Sequence, residues 1–253
     1  MGIGEACARA FAGRGARLIL TARSSEALER IARAVAPSPA RTLPGDLGRP
    51  EAIPELVDGA LGCFGRVDVL VNNAGVGLYA PSWRADLSLL RQMMEVNFFA
   101  PVALVRGLAP HMRRLGGGAV VNVSSIAGQV SLPWLTLYSA SKAALNSFSD
   151  GLRLELKGSG IRVIAVCPGY VATGFPQHVL SGRIPPAVAR RRSLTITPET
   201  CAEAIVRAVE RGRRTVVTPR IGWTLVWAAR LMPRTIDGVL ARLRGPAEES
   251  TCT

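Results

Sequence analysis

Three side chains near the middle of the chain have the chemistry to move a proton together. The segment "LYSASKAALNSF" places Tyr138 and Lys142 four residues apart, on one face of a helix. A free tyrosine is a poor base at neutral pH, because its pKa is about 10. An ammonium one turn away favours the phenolate and lowers that value, each pKa unit being worth about 1.4 kcal/mol. Just before this helix an apolar run ends in Ser124 and Ser125, so a serine hydroxyl can lie near the phenol. Phenol, ammonium and hydroxyl suit removal of a proton from an alcohol as hydride leaves, or its donation to a carbonyl in reverse. Tyr and Lys at this spacing also occur as ordinary helix-surface packing, so the surroundings must decide.

The surroundings alternate strand-like and helical stretches. The runs "ARLILT" (16–21), "VDVLVNNAG" (67–75), "GAVVNVSS" (118–125), "IRVIAVCPG" (161–169) and "RRTVVTP" (213–219) read as strands, with a short "RTLPGD" (41–46) between the first two. Helical spacing fills the intervals, including a long helix over 87–114 interrupted near Pro101 and Pro110, and helices over 137–157 and 199–211. Continuous Val/Ile/Leu runs joined by helices predict a parallel sheet covered on both faces, a doubly wound α/β fold. Ligands of such folds bind beyond the carboxyl ends of the strands. The polar residues cluster there: Asn72, Asn73 and Gly75, then Ser124 and Ser125, then Pro168, Gly169 and Thr173. At the start of the chain, Gly2 and Gly4 form a G-x-G step running into an alanine-rich amphipathic helix, the back half of a phosphate-binding turn.

Composition removes several classes of function. Nearly half of the 253 residues are hydrophobic and mean hydropathy is +0.24, so a filled core is expected and disorder is not. No apolar run reaches the roughly 18 to 20 residues of a bilayer span, and the first helix, with Glu5, Arg9 and Arg14, lacks the form of a signal peptide. A cytoplasmic location follows as the expectation. Five dispersed cysteines read as reduced, and two histidines, His111 and His178, give no basis for a metal site. The net charge of +13 is carried by 29 arginines and two lysines, and residues 181–244 hold thirteen arginines against four acidic residues. Nucleic-acid binding would rest on that charge alone, without a recognised module, and is not expected.

These motifs together resemble the short-chain dehydrogenase/reductase family of the Y-x-x-x-K type, in order from Gly2 to about Pro219. The family's N-N-A-G stands as "NNAG" (72–75), and its helix asparagine as Asn97 in "EVNFFAPVAL". Its serine stands as Ser125, thirteen residues before Tyr138, its P-G-x-x-x-T segment as "PGYVAT" (168–173), and its acidic turn as "GDL" (45–47). The resemblance implies a Rossmann fold, a nicotinamide cofactor, a small alcohol or ketone substrate and a homodimer or homotetramer. It implies Tyr138 as general acid/base, Lys142 as the residue that lowers its pKa and meets the nicotinamide ribose, and Ser125 as the group polarising the substrate oxygen. Ser124 is the neighbouring alternative, since side chains alternate along a strand. Asn97 would hold a water linking Lys142 to solvent. Cofactor contacts would come from Gly2, Ile3, Gly4, Arg23, Ser24, Asp46, Leu47, Asn73, Ala74, Gly75, Pro168, Gly169, Val171 and Thr173, besides Tyr138 and Lys142.

Cofactor choice follows from charge. NAD-preferring members carry an acidic residue at the end of the second strand, to bind the ribose diol. Here the strand ends "LTARSS", with Arg23 and Ser24 and no carboxylate before Glu26. A forked guanidinium suits a 2′-phosphate, so NADP is expected over NAD.

Two departures stand out. The family's motif T-G-x-x-x-G-x-G and the apolar strand before it are represented only by Gly2 and Gly4. That strand would be central, flanked by those at 16–21 and 67–72, and its loss would forfeit on the order of 10 kcal/mol of apolar burial. The expectation is a sequence that starts late, with weak folding and poor cofactor binding, and it leaves a cofactor-sensing or scaffold protein as the alternative function. The second departure is residues 220–253, set apart from the domain at 1–219. Over 220–244 a short apolar run bearing Trp223 and Trp227 is flanked by arginines, which suits packing on the body, dimerisation or peripheral contact with the inner membrane face. Trp134, Leu135, Phe175 and the loop 174–197 are expected to wall an apolar pocket.

Overall fold

The computed structural model describes residues 2–182 and 195–242. Six strands follow one another along the chain: β1 (Leu18–Ala22), β2 (Ala40–Pro44), β3 (Val69–Asn72), β4 (Gly118–Val123), β5 (Ile161–Pro168) and β6 (Thr215–Thr218). Helices α1 (Ile3–Ala12), α2 (Ser25–Ala34), α3 (Ile53–Phe64), α4 (Leu87–Met94), α5 (Ala100–Arg114), α6 (Thr136–Glu155) and α7 (Pro198–Glu210) lie between or beside them. The chain ends in two short helices, α8 (Gly222–Leu231) and α9 (Pro233–Leu240). Every strand pairing is parallel. On one face α3, α5 and the end of α6 bury Ile53, Leu56, Leu108 and Leu152 against Val120 and Val163. On the other, α1 and α7 bury Cys7, Cys201 and Ile205 against Val121 and Ile164. This is the doubly wound, Rossmann-like α/β fold, and the largely apolar β4 and β5 are the central strands of its four-stranded sheet.

Local chemistry sets several element ends. Ser24 caps α2 by accepting from the Ala27 amide at 3.1 Å, and Thr197 caps α7 by accepting from Thr200 at 3.2 Å, with Pro198 in the first turn. The expected long helix over 87–114 is divided differently from its prolines. A π-turn spans Glu95–Phe99, Pro101 falls in the tolerated first turn of α5, and Pro110 lies inside α5 without ending it. The tail helix is likewise divided, at Met232–Pro233, because the proline opens a new helix.

The six strands make two sheets, β2-β1 and β3-β4-β5-β6, with β1 and β3 unpaired to one another. Both line one side of a continuous cleft of about 1590 Å³. Leu18 donates to Pro39 and Asp68 accepts from Ala119, so the alternation of a parallel ladder turns the amides of Ile19, Thr21, Val69 and Val71 toward that cleft. β4 is paired on both sides. In native-state hydrogen exchange these four amides are expected to exchange well ahead of Val120, Val121 and Ile164. Equal protection across the two groups would show that the gap between β1 and β3 is closed in solution.

Candidate active site

The cleft runs along the carboxyl ends of the strands, and β4 delivers its central residues. Beyond Val123 the two serines separate. The Ser124 hydroxyl donates to the Lys142 carbonyl at 3.0 Å and is thereby used to anchor α6. Ser125, in extended backbone, accepts from the Ala127 amide at 3.1 Å, starting a 3₁₀ turn, and its hydroxyl is near enough to the Tyr138 phenol to favour the phenolate. Of the two candidates, Ser125 is therefore the one that meets the phenol. Tyr138 lies in the first turn of α6, buried, with the Phe175 ring 5.7 Å away. Lys142, one turn on and 3 % exposed, places its ammonium 5.9 Å from the Tyr138 ring centre and donates to the Val123 carbonyl at 3.0 Å.

The charge balance differs from the sequence expectation. Burial pushes the Tyr138 phenol above its usual range, and the Ser125 hydrogen bond only partly offsets this. The same burial pushes Lys142 down to about 8, with Cys167 acting the other way. Desolvation outweighs mutual help, because both groups share one dry pocket and the phenol is neutral when protonated. Tyr79, beside the same pocket, is pushed up to about 12 by burial and by Tyr170.

Asn97 is brought in by the π-turn and is fully buried. Its Oδ1 accepts from the Val76 amide at 2.9 Å, while Nδ2 donates to the Val76 carbonyl and to Ser141 Oγ, each at 3.0 Å. Ser141 in turn donates to the Tyr138 carbonyl at 2.7 Å. Asn97 thus ties the loop after β3 to the first turn of α6, beneath the cleft. Gly75 lies in that loop because a Cβ there would sit 3.2 Å from Lys142 Nζ and 3.3 Å from Asn97 Oδ1.

The expected cofactor residues mostly converge. Gly2, Ile3, Gly4, Arg23, Asp46, Leu47, Asn73, Ala74, Gly75, Pro168, Gly169, Val171 and Thr173 all line the cleft. Helix α1 begins at Gly2 without a side-chain cap, so its first amides are open to an anion there. A Cβ on Gly4 would come 2.8 Å from Asn73 Nδ2, so only glycine lets the helix start approach the loop after β3. Asp46 Oδ1 accepts from the Gly48 amide at 2.9 Å, which shapes the turn after β2. Ser24 does not line the cleft, since its hydroxyl caps α2. Leu135 and Phe175 wall the pocket as expected, whereas Trp134 packs on Trp83 at 6.3 Å. Part of the expected loop wall, residues 183–194, lies outside the described residues.

Some lining residues were not singled out from the sequence. Glu5, at the start of α1, is gripped by both Arg30 nitrogens at 3.2 Å, and Arg30 with Arg9 holds its carboxyl below the usual range. This pairing neutralises a carboxylate that would otherwise repel an anion at the helix start. Ile221, Leu225, Ile236 and Leu240 bring α8 and α9 to the cleft as well. Among the described residues no cluster of His, Cys, Asp or Glu could hold a metal ion.

This arrangement has known relatives. The family model described as short chain dehydrogenase matches residues 1–183. The chain is 37% identical over 230 residues to dehydrogenase/reductase SDR family member 7B of Bos taurus, covering 85% of this chain and 70% of that protein. A metagenomic short-chain oxidoreductase solved with NADP is 31% identical, with a TM-score of 0.72 over 86% of this chain and 92% of its own. A short chain dehydrogenase/reductase from Burkholderia phymatum solved with NAD is 26% identical, with a TM-score of 0.83 over 97% and 93% of the two chains. With more than half its length matched by the family model and with Ser125 and the buried Tyr138 and Lys142 lining one cleft, this chain belongs to the short-chain dehydrogenase/reductase family.

Proposed function

We propose that the protein transfers hydride between a nicotinamide cofactor, with NADP preferred, and an apolar secondary alcohol or ketone. The observation that carries this reading is the gathering of Ser125, the buried Tyr138 phenol and the Lys142 ammonium, 5.9 Å from the ring centre, in one cleft that also takes in an uncapped helix start. The cofactor, when bound, supplies or takes up the hydride. The chain's part is to orient the substrate and move the proton. Ser125 and Tyr138 both reach the position of a substrate oxygen, so they can hold it by two hydrogen bonds. Tyr138, protonated in this ligand-free site, can give its proton to a developing alkoxide in carbonyl reduction. In the opposite direction Lys142 stabilises the phenolate. The apolar wall of Leu132, Leu135, Phe175 and Leu225 suits a hydrophobic substrate and excludes water around the transfer.

The NADP preference rests on Arg23. It is exposed at the end of β1, lines the cleft, and forms no ion pair with a described carboxylate. The solved relatives include proteins holding NADP and NAD, so the side chain at this position carries the argument. The gap between β1 and β3 favours a second reading, in which the chain holds cofactor without turning over.

Three measurements check this. Replacing Tyr138 with Phe is expected to lower turnover by about 10²–10⁴-fold, with little change in cofactor affinity; unchanged turnover would remove the phenol from the mechanism. Arg23→Ala is expected to weaken NADP(H) binding by about tenfold or more, roughly 1.4 kcal/mol, while sparing NAD(H); equal losses would refute the assignment. Burial moves Lys142 from its ordinary value of 10.5 down to about 8 in the folded chain. Between those values the unfolded chain keeps the proton that the folded chain has lost, so rising pH stabilises the fold. Thermal melts should therefore show wild type gaining on Lys142→Met from pH 8 upward, and a constant difference would mean that the ammonium stays charged in the pocket.

A further inference from the structure

Helices α8 and α9 have two sides. One closes the cleft: Val226 is fully buried, and Ile221, Leu225, Ile236 and Leu240 line the cavity. A Cβ on Gly222 would come within 2.9 Å of Ile126, so α8 starts against the turn that follows Ser125. Arg230 adds a second tie to that turn, donating to Gln129 Oε1 at 3.0 Å. The other side faces outward and is apolar. Trp227, Leu231 and Met232, none of which lines the cleft, are three of the ten exposed large hydrophobic side chains described, and Leu231 is 74% exposed. Trp227 and Leu231 lie one turn apart on α8, and Met232 follows at the break before α9.

The charges around this face are of one sign. Arg220, Arg230, Arg234 and Arg242 are exposed, and none pairs with a described carboxylate. Asp237 is the one acidic residue among 220–242. A second copy docking by the same face would set arginines against arginines. The segments outside the described residues offer no better complement by composition: 183–194 carries four arginines and no acid, and 243–253, though it holds Glu248 and Glu249, has one large apolar side chain, Leu243, to set against an apolar face. An exposed tryptophan and aliphatic side chains bordered by unpaired arginines complement an anionic lipid surface, where the ring lies at headgroup depth and the guanidinium groups meet phosphate.

We infer that the outer side of α8–α9 docks the protein on an anionic bilayer surface. No helix among the described residues is long and apolar enough to cross a membrane, so the attachment is peripheral. Docking brings the cleft wall against the layer in which apolar alcohols and ketones concentrate, and this consequence rests on the proposed function. The attachment itself does not.

The test is flotation of the full chain with vesicles of phosphatidylcholine alone, or with about 30 mol % phosphatidylglycerol. Binding should appear on the anionic vesicles, fall at high salt and be at least about tenfold weaker on the neutral ones. Trp227→Ser with Leu231→Ser should abolish it. Arg220→Gln, Arg234→Gln and Arg242→Gln together should reduce it to the neutral level. The substituted side chains are exposed, so each variant should melt within a few degrees of wild type, which separates lost docking from lost folding. Wild type that fails to float, or variants that float as well as wild type, would overturn the inference. So would a self-associated species in sedimentation that Trp227→Ser with Leu231→Ser dissolves while wild type ignores lipid, since the face would then belong to a second copy. Reductase activity lost with flotation intact would sink the proposed function and leave the docking standing.

Discussion

A buried ammonium must have an oxygen. Lys142 lies in the dry interior of α6, and the Val123 carbonyl at the end of β4 receives its proton at 3.0 Å. Because Ser124 returns a hydrogen bond from the next residue to the Lys142 carbonyl, strand and helix are stitched in both directions within two residues. That stitch sets where Tyr138 stands relative to Ser125. It also explains why the backbone around it is so constrained: Gly75 approaches the ammonium too closely for a side chain, and a Cβ on Gly128 would fall 2.7 Å from the Lys142 carbonyl carbon. An unpaired buried ammonium would be far more costly than any single apolar contact nearby, so the geometry of the site is enforced by electrostatics before it is refined by packing.

The same burial produces the protonation pattern. The phenol is held neutral, while the amine, moved down to about 8, remains largely an ammonium at neutral pH with the Val123 carbonyl as its fixed partner. Asn97 and Ser141 add no charge; they lock the loop after β3 to the start of α6 with four hydrogen bonds. The cofactor side of the cleft is looser. There β1 and β3 face one another unpaired, and the Glu5–Arg30 pair and the open start of α1 are the organised features.

Much of this was legible in the sequence, and the reasons are particular. β4 and β5 announce themselves because strands covered on both faces read as near-continuous apolar runs, broken here only by the buried Asn122 and the exposed Arg162. Tyr138 and Lys142 are readable because four residues make one helical turn, and Ser125 because it ends the preceding strand. What was hidden depends on three-dimensional context. A π-turn inserts one residue per turn without changing composition, so Asn97 could be named but its grip on Val76 could not. Desolvation is a property of the fold, and the sign of the Tyr138 shift reverses once both partners are buried together. Ser24, expected to meet the cofactor from its place after Arg23, also caps α2, a role that a serine directly before a helix signals. The role of α8 and α9 as cleft wall required β6 to carry a distant segment back beside the Ser125 turn.

The central claim is that one phenol, set by Ser125 and Lys142, carries the reaction's proton. It is tested most directly by following ultraviolet absorbance through an alkaline titration, taking the difference between wild type and Tyr138→Phe, with and without oxidised nicotinamide cofactor. The account predicts that Tyr138 ionises late in the free protein and at a distinctly lower pH with the cofactor bound. An ionisation that does not move with the cofactor, or a difference spectrum with no phenol in it, would contradict the account.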